Sequence, residues 1–532
     1  MTTSIGKNTV QNQRFIVYVE NNIYIKMKQK LFTLLMCFSP FFTSLGKDIP
    51  TRHEVGATNL PDSIAPICSP FKMSELNYPI FPNRIVNIKD LGAKQKEICT
   101  DIIQNAIDKT SKKGGGTILI PKGEWLTGRI SLKNNINLHI EEGGILKFSG
   151  NIKDYLPVVK TRNEGIELYS LGALIYANNA ENIALTGKGT LIGPSTNCEI
   201  YKRHMNSTVI EKFINSDTPV EDRIYDGKDN SPIFLPMFVS PINCKNILIE
   251  GVSFEKTIFW HINPIYCENV IIRGITVNSV GTPRSDGIDI ESTKNVLIEY
   301  CTLNCGDDCF TIKSGRSDDG IRVNKPAENI IIRHCLGLKG VGAITCGSET
   351  AAMIRNLYVH DCVFEGTNVG ILFKTRRNRG GGGENLFYER LRMTTKGSAI
   401  KWDMLGQTLH MGNLAIRKPI PDITRLTPKY QNIKIKDIII EDCDLIINAV
   451  GLPEQPSSNI LINKMKVFNS KQLMKFQDID GFVISNSDIQ SSCDSITVDE
   501  SRNIFWLNTK IKTHNPLKIS YKGDYSLPII TD

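Results

Sequence analysis

One short phrase recurs along this chain: an Asn, an aliphatic or aromatic residue, a variable residue, then a second apolar one. It stands at Asn182, Asn246, Asn269, Asn295, Asn329, Asn356, Asn385, Asn432, Asn459 and Asn503, with a variant around Gly481 and Phe482. From Asn246 onward most intervals are 22 to 34 residues, and the one long gap, Asn385 to Asn432, has room for an inserted loop. Self-similarity at such a period marks a repeat architecture. Each phrase, such as Asn-Ile-Leu-Ile at 246–249, is a short β-branched strand opened by a turn former, and helical periodicity is nearly absent. The pattern predicts an all-β fold: a single right-handed parallel β-helix, one coil per repeat, the coils stacked about 4.8 Å apart. The Asn side chains then form a ladder, because Asn tolerates left-handed backbone and bonds neighbouring groups. Leucine-rich and propeller signatures are missing. Cys301, Cys335 and Cys362 each lie six residues after their Asn, which predicts one line of small buried side chains rather than disulfides.

The rest of the chain is arranged around this solenoid. Asp101 to Thr110 carries apolar residues at 102, 103, 106 and 107, a helical stripe suited to capping the open N-terminal end. Gly114 to Gly116 ends it, and the β pattern starts at Thr117. The β-helix domain is expected over 81–515, with a C-terminal tail at 516–532. Residues 47–80, with Pro at 50, 61, 66, 70 and 79, read as an extended leader segment. Lys26, Lys28 and Lys30 precede an apolar run from Leu31 to Phe42 and the small residues Thr43, Ser44 and Gly46. That is the layout of a signal peptide at 27–46, and the run is too short to span a bilayer, which takes about 20 residues. Residues 1–26 read as an upstream extension, and the expected product is exported, periplasmic or extracellular, with no membrane segment and a monomeric state. The formal charge of 63 − 55 = +8 falls to 58 − 54 = +4 beyond residue 46, which gives no support to a nucleic-acid partner.

The carboxylates gather in one place. Asp286 follows the Asn269 strand, and Asp307 and Asp308 follow the Asn295 strand, so adjacent coils carry them. Stacked coils put equivalent positions about 5 Å apart. Crowding three carboxylates in one patch raises at least one pKa, and an acid kept protonated beside others kept charged is what glycoside cleavage needs. Solvated turns and a Ca²⁺ cluster are the other readings of these residues. Asp307 is 12 residues after Asn295, and 12 after Asn329 is Val341, so Val341 is predicted one coil beyond Asp307. The following coil brings Lys374, Arg376, Arg377 and Arg379. Basic groups beside acidic ones point to a substrate carrying its own carboxylates, unless they form a basic loop in solvent. The Gly380 to Gly383 run is a flexible loop and no phosphate cradle.

With these residues in place, the chain resembles glycoside hydrolase family 28, the polygalacturonase and rhamnogalacturonan hydrolase family of pectin-degrading β-helices. The likeness covers roughly 81–515, through Asn87-Ile88-Lys89-Asp90-Leu91-Gly92-Ala93-Lys94, Gly114 to Thr117, Leu126-Thr127-Gly128, and then Asp286, Asp289, Asp307 and Asp308. It implies an inverting hydrolase in which Asp307 is the general acid and Asp286 with Asp308 positions and deprotonates water. Inversion implies acid and base about 6.5 to 9.5 Å apart. Lys374, Arg284, Arg376, Lys313 and His261 are the candidate substrate-binding residues; no cofactor and no metal are expected.

Three positions depart from the polygalacturonase pattern. Arg284-Ser285-Asp286 stands for Asn-Thr-Asp, Gly340-Val341-Gly342 for Gly-His-Gly, and Leu372-Phe373-Lys374 for Arg-Ile-Lys. All three acids persist, which speaks for a changed subsite rather than decay. Rhamnogalacturonan hydrolases of the family are similar in lacking that histidine and arginine while keeping the lysine. The expectation is therefore cleavage of a galacturonosyl linkage to rhamnose in an acidic plant polysaccharide, with homogalacturonan, cut by endo or exo action, as the alternative. A β-helix polysaccharide lyase, with Arg284 or Lys374 as base, and a non-catalytic glycan-binding β-helix are the readings from other classes.

Overall fold

The computed structural model describes residues 48–205, 210 and 218–532. The extension expected at 1–26 and the signal peptide expected at 27–46 lie outside the described residues. Within the unit that begins at Ile49, the chain winds from Ile85 onward into the right-handed parallel β-helix that the repeat predicts. Successive coils pair in parallel: Ile247 with Val270, Val270 with Val296, Val296 with Ile330, Ile330 with Leu357. These side chains stack inside the solenoid and are buried.

Every Asn of the phrase has φ between 52° and 58°, the left-handed region, and so does Gly481 at φ 94°. Asn295 Nδ2 donates to Asn269 Oδ1 at 3.3 Å, and Asn329 Nδ2 donates to Asn295 Oδ1 at 3.2 Å. Asn135, absent from the predicted set, adds a rung by accepting from Asn182 Nδ2 at 3.1 Å. Where Gly481 interrupts the column, Asn503 reaches Asp480 Oδ1 instead, at 2.6 Å. Asn295→Ala combines a left-handed backbone that alanine disfavours with two lost side-chain bonds, and is expected to cost about 2 to 3 kcal/mol. Asn295→Gly relieves the backbone and is expected to cost about half as much. Urea unfolding of both variants separates the two contributions.

The cysteine line is also present: Cys301, Cys335 and Cys362 are buried free thiols, and each bonds the carbonyl two residues before it. Helix α1 (Thr100–Lys112) buries Ile103, Ala106, Ile107 and Thr110 in the core of the first coils. The segment 516–532 is not a loose tail. Lys518–Lys522 pairs with Ser495–Asp499, and Ile530–Thr531 pairs with Arg502–Leu507, because exposed strand edges of the preceding coil offer unpaired backbone groups.

The leader is a strap. The outward column Ala184, Leu248, Ile271, Leu297, Ile331 and Tyr358 is apolar, and Ile64, Ile67, Phe71, Met73, Leu76 and Phe81 cover it. Arg273 donates to the carbonyl of Pro61 and the hydroxyl of Tyr78, and Arg333 to the carbonyls of Ala65 and Pro66.

A second face of the solenoid carries strands β1 (Ile288–Glu291), β2 (Phe310–Lys313), β3 (Gly342–Cys346), β4 (Val369–Lys374) and β5 (Ser398–Asp403), paired in that order. Alternate side chains fill the core, Ile288, Phe310 and Ile344 in the first three strands and Ile371 and Phe373 in β4, so Asp289, Thr311, Lys313 and Lys374 point outward. The inserted loop in the Asn385–Asn432 gap follows β5, and Arg377 ties it down through the carbonyls of Leu414, Ile416 and Arg417. A hairpin, Val159–Asn163 with Ile166–Ser170, is fastened beside this face through Arg223 and Asp319. Among the described residues no helix is long and apolar enough to cross a membrane.

Candidate active site

The register brings the predicted acids together. Ile288 pairs with Phe310, which sets Asp286 opposite Asp308 on the next coil. One oxygen from each of Asp286, Asp307 and Asp308 lies within 4.8 Å of the others. The backbone N–H of Val341 donates to the carbonyl of Asp307 at 3.0 Å, so Val341 stands one coil beyond it as predicted. The turns are fixed locally: the N–H of Gly306 donates to Ser285 Oγ at 3.0 Å, and Ser285 Oγ donates to the carbonyl of Thr282 at 2.7 Å. Asp308 Oδ1 accepts from the N–H of Gly342 at 2.7 Å. A Cβ on Gly342 would come within 2.8 Å of that oxygen, so the close approach needs glycine.

The acids differ in exposure and charge. Asp286 is 3% exposed and Asp308 1%, whereas Asp307 is half-buried and the most open of the three. Burial and then neighbouring carboxylates push Asp286 well up, and burial with Asp308 raises Asp307. Asp289, fully buried, is raised to about 7, mainly by burial against the pull of Lys313. The cluster therefore holds a proton in the mildly acidic to neutral range. The 6.5 to 9.5 Å expected between acid and base is not what the nearest oxygens show: adjacency of Asp307 and Asp308 and the coil spacing hold them closer.

The basic candidates divide. Lys374 Nζ lies 3.7 Å from Asp308 Oδ2, and its side chain is 28% exposed, so it can meet a ligand. Arg284 stacks over Phe259 at 4.8 Å and pairs with Glu164 at the hairpin tip. Arg376 is mostly buried and bonds the carbonyl and carboxylate of Asp403. Lys313 is buried, with its ammonium 3.9 Å from Asp286, 3.4 Å from Asp289 and 3.4 Å from Glu349. It is an internal counter-ion and offers no face to a ligand. His261 is fully buried, stacked on Phe238, with Nδ1 2.8 Å from the carbonyl oxygen of Asp286. Burial lowers it to about 4, so the ring is neutral and holds the Asp286 backbone from inside the core instead of facing the cleft.

Glu349 and Glu164 belong to the surroundings of the site, and no local pattern in the sequence marks them. Glu349 lies 42 residues beyond Asp307, and Glu164 comes from a hairpin 120 residues before Arg284. The three aspartates could offer a cation three oxygens, half or less of what Ca²⁺ takes. Lys313 and Lys374 already stand within 4 Å of Asp286 and Asp308 as countercharges. Both ammonium groups are held charged by the carboxylates around them, which makes either a poor base for lyase chemistry.

Comparison with known proteins meets this geometry. The model of the glycosyl hydrolases family 28 matches residues 111–405. A probable polygalacturonase of Vitis vinifera is 26% identical over 383 residues, 69% of this chain and 70% of that protein. The structure of a hyperthermoactive exopolygalacturonase from Thermotoga maritima superposes with a TM-score of 0.65 at 29% identity, over 84% of this chain and 94% of that one. A family 28 exopolygalacturonase of Yersinia enterocolitica shares the fold, with a TM-score of 0.59 at 19% identity, over 83% of this chain and 77% of that one. The matched span takes in more than half of the chain together with all three aspartates, and the chain belongs to glycosyl hydrolase family 28 as a glycoside hydrolase.

Proposed function

We propose that this hydrolase cuts galacturonosyl linkages of pectin with inversion, at bonds where a neutral rhamnose sits beside the galacturonate. The observation that carries the reading is Val341, 39% exposed one coil beyond Asp307. An apolar side chain there cannot pair with a carboxylate, but it can pack the methyl group of a deoxy sugar. Lys374, one coil further on, is the accessible cation for the galacturonate carboxylate.

Asp307, the most open of the three acids and one that burial and Asp308 push upward, protonates the leaving oxygen. Asp286 and Asp308 are too buried to attack a sugar carbon themselves, but they can share a water. Hydrogen bonds of about 2.8 Å at a tetrahedral oxygen span roughly 4.6 Å, and one oxygen of each of these carboxylates lies within 4.8 Å of the other. Attack by that water, rather than by a carboxylate, gives inversion. The polygalacturonase relatives favour a second reading, homogalacturonan as substrate. Export to the periplasm or the exterior, and action as a monomer, complete the proposal; the signal-like segment at 27–46 supports export.

Purified protein incubated with rhamnogalacturonan and with polygalacturonate oligosaccharides is expected to release reducing ends faster from the former. Proton NMR in the first minutes should show the product anomer opposite to that of the bond cut. Faster release from polygalacturonate would install the second reading, a retained anomer would remove the water mechanism, and an ultraviolet-absorbing product would mean a lyase.

A further inference from the structure

Lys313 is a costly residue where it stands. Its side chain is 5% exposed, at the end of β2, and burial favours its neutral form. Three carboxylates face its ammonium from three elements: Asp286 before β1 at 3.9 Å, Asp289 in β1 at 3.4 Å, and Glu349 beyond β3 at 3.4 Å. The ring of Trp260 covers the remaining side, 4.5 Å from Nζ. Asp308 and Glu291 also lie within its field, and Lys374 opposes it.

Glu349 is the fixed end of this arrangement. Its turn is tied to β2 by the N–H of Ser314 donating to the Glu349 carbonyl at 2.7 Å, and Ser348 Oγ donates to Oε1 at 3.1 Å. Lys313, Arg379 and Arg316 hold its carboxyl well below the usual range in spite of burial, which favours the charged form. A carboxylate anchored in its turn on one side and a catalytic one on the other leave the ammonium a single resting place.

We propose that Lys313, held in place by Glu349, is a positioning residue that opposes protonation of Asp286 and aims it as one half of the water-holding pair. The inference rests on the role given to Asp286 above. Removing the cation favours the protonated carboxyl, so Lys313→Met moves the acid limb of the kcat/KM profile to higher pH, by about one unit. Removing the competing anion strengthens the pull of Lys313 on Asp286, so Glu349→Gln moves the same limb to lower pH. A merely structural role would lower activity in both variants without opposite displacements.

The experiment is the pH dependence of kcat/KM on the cleaved oligosaccharide for wild type, Lys313→Met, Glu349→Gln and Asp286→Asn, with circular dichroism to verify folding. Opposite shifts are expected for the first two variants. Limbs that coincide with wild type, or that move together, overturn the inference. If Lys313→Met does not fold, Glu349→Gln decides alone, and an acid limb that fails to move down overturns it. Turnover retained by Asp286→Asn would instead sink the underlying role of Asp286, so the two failures are told apart.

Discussion

Asp307→Asn is expected to lower kcat on a natural oligosaccharide by about a thousandfold, the middle of the range for losing a general acid, with KM changed little. The substitution keeps the shape of the side chain. Asp307 Oδ1 accepts from the N–H of Asp308 at 3.0 Å, a bond the Asn amide oxygen can replace, and the half-buried position removes little packing. The discriminating measurement is the leaving group. An aryl glycoside with an acidic phenol departs without protonation, so the defect should shrink by a factor of ten or more on such a substrate. Asp286→Asn and Asp308→Asn should lose activity equally on both substrates, since water must be activated in either case. A loss under tenfold for Asp307→Asn, or one blind to the leaving group, would show that the proton comes from elsewhere.

The role of Asp307 is what the family resemblance implies, but its place among the acids was within reach of the sequence because coil register is simple arithmetic. Asp307 and Val341 stand at the same offset from Asn295 and Asn329, and the paired strands keep that offset. Arithmetic along one column does not give the direction of a side chain where a strand is irregular. Trp260, His261 and Ile262 precede β1 on a segment joined to the ladder by isolated bridges, and His261 there turns into the core, where Phe238 and Phe254 enclose it. Nor does it give partners supplied from another coil's turn. Glu349 and Glu164 are single acidic residues in turns, and only the folded chain shows that they meet Lys313 and Arg284.

The strap tells the same story from the other direction, since its trace was present in the repeat. The phrase has a variable third position, which in a solenoid faces out. In six successive occurrences it is Leu248, Ile271, Leu297, Ile331, Tyr358 and Phe387, while at the Asn432 phrase it is Lys434. A stripe apolar on its outer side implies a cover. The proline-rich leader is the cover, and it stays extended because Pro at 61, 66, 70 and 79 resists both helix and central strand.

How firmly the cover is held depends on one buried acid, and Glu299→Ala is expected to cost about 3 to 5 kcal/mol. Glu299 is fully buried between two arginines, 2.8 Å from Arg273 and 2.7 Å from Arg333. Those arginines bond Tyr78 and the carbonyls of Pro61, Ala65 and Pro66, so one carboxylate orients two fasteners of the strap. Removing it leaves two nearly buried guanidinium groups, one on the coil to either side, without their shared anion, although Arg273 keeps Glu250 at 3.1 Å. The solenoid beneath keeps its ladders and core, so the loss should concentrate in the strap. Limited proteolysis is therefore the sensitive measurement: cleavage within 48–81 should accelerate by about two decades, the equivalent of roughly 3 kcal/mol of local opening, while cuts elsewhere change far less. Cleavage of the strap at the wild-type rate would mean that apolar contact with the outer column holds it unaided and that Glu299 serves only to neutralise its neighbours.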